Sequence, residues 1–241
     1  MKTIFITGIS RGLGLELTKD LLNKGGYTIY GISRGISPEL KNLCETYPDL
    51  LHWHAFDLNN ISEIETGLFE NFIPKDLSID IFINNAAILY KDLITRVDTK
   101  SLEELMRVNF TAPVILSRYI IKNFLYHNKK GIIIHISSIC AHKAFEGLSL
   151  MGASKAAIEA FSRSTAFEYG RKGIRSNTIV IGLLDIGMSF TVNEKQKDAL
   201  LTNAALKKTT GLSSVIQTVN MLISDQACDI TAQCIHVNAG L

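Results

Sequence analysis

The chain opens on a short β-branched run, Thr3–Thr7, that passes directly into Gly8-Ile-Ser-Arg-Gly12-Leu-Gly14 and then into the helical apolar spacing Leu13, Leu17, Leu21. A strand that turns on glycines into a helix constrains the fold more than any other feature of this sequence. The turn aims unpaired backbone N–H groups at whatever lies above it. The missing side chains let a diphosphate approach, and the helix dipole favours negative charge there. Such a turn begins a βαβ unit, and repeated βαβ units require a parallel sheet covered by helices.

The rest of the chain repeats the pattern. Candidate strands are Thr3–Thr7, Tyr27–Ser33, Leu51–Phe56, Ile79–Asn84, Gly131–Ser137, Ile174–Val180 and Cys234–Val237, with helical spacing near 12–23, 38–46, 61–72, 101–127, 150–170 and 213–224. The strands are nearly continuous apolar runs, as expected where both faces are buried. The clearest helix start is the capping-box pattern Ser101-Leu-Glu-Glu104, in which a hydroxyl and a carboxylate satisfy free N–H groups. The sequence has 241 residues, four prolines, no Gly/Ser linker and no repeat. One domain over 1–241 is expected, of α/β class: a doubly wound Rossmann-type parallel sheet of about seven strands with helices on both faces.

Composition narrows the function classes. The 46% of AVILMFWYC residues supply a large core, and 25 Lys+Arg against 23 Asp+Glu leave only +2. So small a charge argues against general nucleic-acid or membrane-surface binding. No apolar run approaches the roughly 18–20 residues that span a bilayer, and Gly8 to Arg11 ends the first run too early for a signal peptide. The cysteines at 44, 140, 228 and 234 form no CxxC and are expected to be reduced thiols of a cytoplasmic protein. His52 and His54 share a strand face without an acid or cysteine nearby, so no metal site is expected. His135 and His236 are expected as packed core histidines.

Thr7-Gly-x-x-x-Gly-x-Gly14 resembles the nucleotide loop of the short-chain dehydrogenase/reductase family, and the resemblance continues along most of the chain. Asp57-Leu58 resembles the pair that meets the adenine. Asn84-Asn85-Ala86-Ala87 resembles the segment after the fourth strand, and Asn109 stands where the family keeps a helix asparagine. Ile136-Ser-Ser138 resembles the active-site serine segment, and Ala153-Ser-Lys-Ala156 the start of the catalytic-lysine helix. Asn177–Gly182 and Ile230–Asn238 resemble the loop and last strand that follow. The subgroup most similar in length, in Leu183–Met188 and in the ending is the 3-oxoacyl-carrier reductases; a sugar or secondary-metabolite ketone stays open as substrate. The resemblance implies cofactor contacts at Gly8, Ser10, Arg11, Gly12, Leu13, Gly14, Ser33, Arg34, Asp57, Leu58, Asn85, Ala86, Lys155, Gly182 and Leu184. It also implies a small-molecule carbonyl or acyl substrate. The assembly it implies is a homodimer or homotetramer in which helices 101–127 and 150–170 pair across a two-fold; a hetero-oligomer stays open.

Cofactor subtype follows from charge. An acid at the end of the second strand would bind the ribose hydroxyls of NAD, yet Tyr30-Gly-Ile-Ser-Arg34 holds none before Glu39. Arg34 and Arg11 are placed to meet a 2′-phosphate, with Ser33 and Ser10 as hydroxyl donors, so NADP(H) is expected.

The resemblance implies a serine that polarises the carbonyl, a tyrosine that delivers the proton, a lysine four residues later, and an asparagine behind it. Here the serine is Ser138, the lysine Lys155 and the asparagine Asn109, but Met151 stands at the tyrosine position. A thioether has no proton to give. Ala87, Ile181 and Ile186 also depart from the family pattern. His142, Lys155 acting through water, and Tyr90 are the candidate replacements; Ser137 is expected to support the backbone. Residues 188–206, with Met188, Phe190, Val192, Leu200 and Leu201, are expected to cover the substrate pocket. Two functions stay open: an NADP(H)-dependent reductase with an unusual proton donor, and a redox-silent cofactor-binding subunit of an active partner.

Overall fold

The computed structural model describes residues 1–184, 186 and 194–241. Seven strands form one sheet in the order β3-β2-β1-β4-β5-β6-β7, every neighbouring pair parallel. They are β1 (Lys2–Thr7), β2 (Tyr27–Ser33), β3 (Leu51–Ala55), β4 (Ile81–Asn84), β5 (Ile132–Ser138), β6 (Arg175–Ile181) and β7 (Cys234–Val237). Each lies within two residues of its expected place. The order reverses between β1 and β4. Their carboxyl ends therefore open a crevice, the place where doubly wound sheets bind ligands.

Two cores flank the sheet. On one face α1 (Gly12–Lys24), α2 (Pro38–Thr46) and α7 (Leu212–Ile223) pack Leu17, Leu21, Leu40, Val215 and Val219 against Ile4, Ile6, Ile81 and Ile134. On the other, α4 (Ala112–Tyr126) and the segment 61–70 pack Leu116, Ile120, Phe124, Ile64 and Leu68 against Phe5, Phe82 and Ile133. Alternate residues of β1, β4 and β5 thus serve opposite cores, which is why these strands read as unbroken apolar runs. Helix α5 (Ser149–Tyr169) lies against β5 and β6.

Four expectations are corrected. Segment 61–72 is a 3-10 turn, Ile61–Glu63, followed by a wide π-type turn, Ile64–Glu70. Segment 101–127 is α3 (Thr99–Met106), a π turn (Arg107–Thr111) and α4. The cap of α3 is Asp98 rather than Ser101. The Ser101 backbone N–H donates to Asp98 Oδ1 at 2.8 Å and its hydroxyl to Oδ2 at 2.7 Å, because a carboxylate three residues upstream is the stronger acceptor. A helix α6 (Glu194–Asn203) falls inside 188–206; Met188, Phe190 and Val192 lie outside the described residues, whereas Leu200 is half-buried in the cavity wall. His236 is exposed, because β7 is the edge strand. The His52 ring meets Tyr30 at a tilt of 36°, and the His54 ring stacks on Phe72. Among the described residues no helix is long and apolar enough to cross a membrane.

Candidate active site

The crevice is built by stitching the loops after β1 and β4 together. Thr7 Oγ1 accepts from the backbone N–H groups of Asn85 (3.1 Å) and Ala86 (3.0 Å), and Asn85 Nδ2 donates to the carbonyls of Thr7 (3.0 Å) and Gly8 (3.1 Å). Gly8 has φ +77°, and a Cβ on Gly14 would lie 2.1 Å from the Gly8 carbonyl oxygen. Only glycine allows that conformation and that approach. Helix α1 begins with Arg11 at its cap position and no side chain capping its first turn. Its leading N–H groups therefore remain available to an anion, and the residues present fit a dinucleotide diphosphate.

A cavity of about 590 Å³ runs from this turn to the end of β5. Of the expected residues it is lined by Gly8, Ser10, Arg11, Gly12, Leu13, Ser33, Arg34, Asp57, Leu58, Asn85, Ala86, Gly182 and Leu184, together with Ser138, Met151 and Lys155. Gly14 lies beneath the turn rather than in the wall. At the end of the cavity beside the glycine turn and β2, Arg11 and Arg34 are exposed. The Ser33 hydroxyl is engaged, donating to the Gly35 carbonyl at 2.9 Å and accepting from Trp53 Nε1 at 2.8 Å. Its hydroxyl thus ties the end of β2 to the loop that follows and to β3.

At the other end Ser138 closes β5, and its hydroxyl accepts from the Cys140 N–H at 3.3 Å. Lys155 is buried and donates from Nζ to the Ile136 carbonyl at 2.7 Å. Burial lowers its pKa to about 8, with Cys140 and then Glu159 working against the shift. Burial also pushes the Cys140 thiol up. Met151, one turn before Lys155, is 6% exposed and lines the wall.

Asn109 stands behind the cavity. It sits in the π turn, four residues before Pro113, which has no N–H to return to the Asn109 carbonyl, so the helix widens there. Its side chain donates to the Ile88 carbonyl (3.0 Å), Ser154 Oγ (3.3 Å) and Met151 Sδ (3.6 Å), and accepts from the Ile88 N–H (2.8 Å). Asn109 thereby fixes the loop after β4 to the helix that carries Met151 and Lys155.

Two candidate proton donors are placed elsewhere. His142 Nε2 lies 3.0 Å from Glu159 Oε2 and the ring is absent from the cavity wall, because a buried carboxylate draws it away. Tyr90 does not line the cavity. His135 is fully buried, with Nδ1 3.1 Å from Asn84 Nδ2; burial, and then the charge of Lys155, lower its pKa to about 3. Thr7, Cys140 and Glu159 emerge as site residues only in the structure. The last was detectable as a lone acid four residues after Lys155, on the same helix face.

A doubly wound sheet whose crevice joins an uncapped glycine turn to a buried lysine and a serine defines a dinucleotide-binding oxidoreductase fold. Residues 8–241 match the family model described as enoyl-(acyl carrier protein) reductase. The chain is 31% identical over 245 residues to a 3-oxoacyl-(acyl-carrier-protein) reductase of Buchnera aphidicola subsp. Baizongia pistaciae, covering 100% of this chain and 97% of that one. It is 32% identical over 240 residues to the reductase of the same name from Rickettsia conorii, covering 100% and 96%. Among solved structures it resembles 4-hydroxyisoleucine dehydrogenase complexed with NADH, with TM-score 0.92, 28% identity and coverage of 100% and 98%. An actinorhodin polyketide ketoreductase with NADPH shares the fold, with TM-score 0.88, 21% identity and coverage of 100% and 97%. The chain belongs to the short-chain dehydrogenase/reductase family.

Proposed function

We propose that the chain reduces the ketone of a 3-oxoacyl thioester with NADPH, and that Lys155 supplies the proton. The observation that carries this reading is the cavity: the glycine turn, both arginines, Ser138 and Lys155 share it, and Met151 is part of the same wall. The names of the similar reductases support the substrate class, as does the apolar wall of Ile88, Leu89, Phe145 and Leu148.

When bound, the nicotinamide supplies the hydride to the carbonyl carbon. Ser138 then donates to the carbonyl oxygen as charge develops there. Met151 offers no proton. A lysine whose pKa is lowered to about 8 is charged at neutral pH and gives up its proton more readily than an ordinary lysine. Arg34 and Arg11 hold the 2′-phosphate, each charge-assisted contact being worth roughly 1.5–3 kcal/mol, about tenfold to a hundredfold in preference for NADP(H). A cytoplasmic homodimer or homotetramer completes the reading. Phe167 and Tyr126, exposed on α5 and α4, are the apolar groups such an interface would cover.

Met151 favours a second reading, a redox-silent NADP(H)-binding subunit of an active reductase. NADPH consumption with 3-oxoacyl thioesters separates the two. The reductase reading expects slow turnover that is lost in Lys155→Met. Tight NADPH binding with no turnover of any ketone is the result that rejects it in favour of the silent subunit.

A further inference from the structure

Among the described residues, only two Lys, Arg, Asp or Glu side chains are buried: Lys155 and Glu159. They stand four residues apart on α5, hence on one face of the helix, and both are anchored at the end of β5. Lys155 Nζ holds the Ile136 carbonyl at 2.7 Å, and Glu159 Oε1 accepts from the Ser137 hydroxyl at 2.5 Å, one residue further along. The carboxylate is also held by His142 Nε2, 3.0 Å from Oε2 and 3.2 Å from Oε1, and faced by Cys234 Sγ, 3.7 Å from Oε2. His142 is partly exposed and meets the His236 ring edge-on at 4.6 Å. Arg163, one turn on, reaches Cys234 Sγ at 3.5 Å.

A buried carboxylate is costly unless hydrogen bonds and an opposite charge hold it ionised. Ser137, His142 and Cys234 supply the hydrogen bonds, and Lys155, one turn back on the same helix face, is the one buried Lys or Arg among the described residues. We propose that Glu159 is a positioning residue acting through Lys155: its carboxylate, fixed by Ser137 and His142, is the countercharge that keeps the lysine ammonium protonated at the cavity. The other ionisable groups facing Lys155 are Cys140 from the turn after β5 and His135 from β5. Burial keeps both neutral, raising the thiol's affinity for its proton and lowering the imidazole's. Glu159 is therefore the one buried carboxylate on that face of the helix among the described residues, and, after Cys140, it works against the burial of the ammonium. With Met151 in place of a phenol, the inference rests on the reductase reading only for its consequence, that proton supply depends on this countercharge.

The test is the titration of Lys155 in the full chain, read from its 13Cε NMR resonance and assigned with Lys155→Met. The wild-type midpoint is expected at about 8. Glu159→Gln, which keeps the shape and an acceptor for Ser137, is expected to lower it by about one unit, and Glu159→Asp to restore most of the difference. If the Gln variant does not fold, the pair Ser137→Ala/Glu159→Leu removes the buried hydroxyl donor and its acceptor together, leaves the partly exposed His142 and Cys234 to solvent, and is expected to give the same fall. An unchanged midpoint in a folded Gln or paired variant would overturn the proposal, because a purely structural glutamate would not move it. The titration needs neither substrate nor turnover. Its failure is thus distinguishable from failure of the reductase reading, which NADPH consumption decides.

Discussion

Met151→Tyr should raise carbonyl reduction by on the order of 10²-fold, and the structure indicates why the gain is neither larger nor absent. Residue 151 is buried against Asn109 yet lines an open cavity of about 590 Å³. The added ring can therefore extend into space instead of into packed core, and the overpacking cost falls toward the lower end of the usual ~1–3 kcal/mol. The exchange removes the 3.6 Å approach of Asn109 Nδ2 to Sδ, but Asn109 keeps Ile88 and Ser154 as partners. The new phenol would stand one helical turn from the Lys155 ammonium. A cation within about 4–6 Å lowers a phenol's ordinary pKa of ~10 by some 1–3 units. A positioned acid contributes about 10²–10⁴-fold, and Lys155 already supplies part of that in the wild type. The assay is single-turnover NADPH oxidation with a 3-oxoacyl thioester at saturating cofactor, beside calorimetric NADPH affinity and a urea melt. A variant that folds, binds NADPH as before and reduces no faster would refute the argument that the missing acid limits the rate.

Further expectations follow from the same geometry. Arg34→Asp should weaken NADPH by about tenfold to a hundredfold while leaving NADH nearly unchanged; calorimetric titration of both cofactors checks it, and equal losses would count against a 2′-phosphate contact. Reduction should decline as pH rises through about 8, where Lys155 loses its proton, and a flat rate profile from pH 7 to 9 would exclude it as donor. The same lowered pKa makes the unfolded chain bind more protons than the native one between about 8 and the ordinary 10.5. The Lys155 contribution to stability therefore rises with pH across that window, and urea melts of wild type and Lys155→Met at pH 8 and 10 should differ accordingly. For His135 the native value of about 3 lies below the ordinary 6.5. Stability should then fall as pH drops from 6.5 toward 3, by roughly 1.4 kcal/mol per pH unit, and His135→Gln should flatten that slope between pH 6.5 and 5.

Much of this architecture is legible in the sequence because its signals are local. Unbroken apolar runs mark strands buried on both faces, and the Gly8–Gly14 turn marks the crevice. Sequence and structure part where long-range partners decide. Ser101 has the pattern of a cap, but Asp98 takes its N–H. Nothing beside Ser33 in the chain marks the hydrogen bond from Trp53, twenty residues on, that ties the end of β2 to β3. His142 follows Ser138 by four residues, as a stand-in acid would, but Glu159 on α5 draws it off the cavity. The wide turn at Asn109 is readable in part, since Pro113 removes an N–H four residues later. The π turn at 64–70 has no such marker.

The most direct test of the account is isotope transfer. Wild-type protein is incubated with a 3-oxoacyl thioester and NADPH carrying deuterium at C4 of the nicotinamide, and the product is analysed by mass spectrometry. The account predicts a 3-hydroxyacyl thioester with deuterium at C3, formed slowly by wild type, faster by Met151→Tyr and not at all by Lys155→Met. Bound NADPH with no deuterated product from either wild type or Met151→Tyr would contradict it.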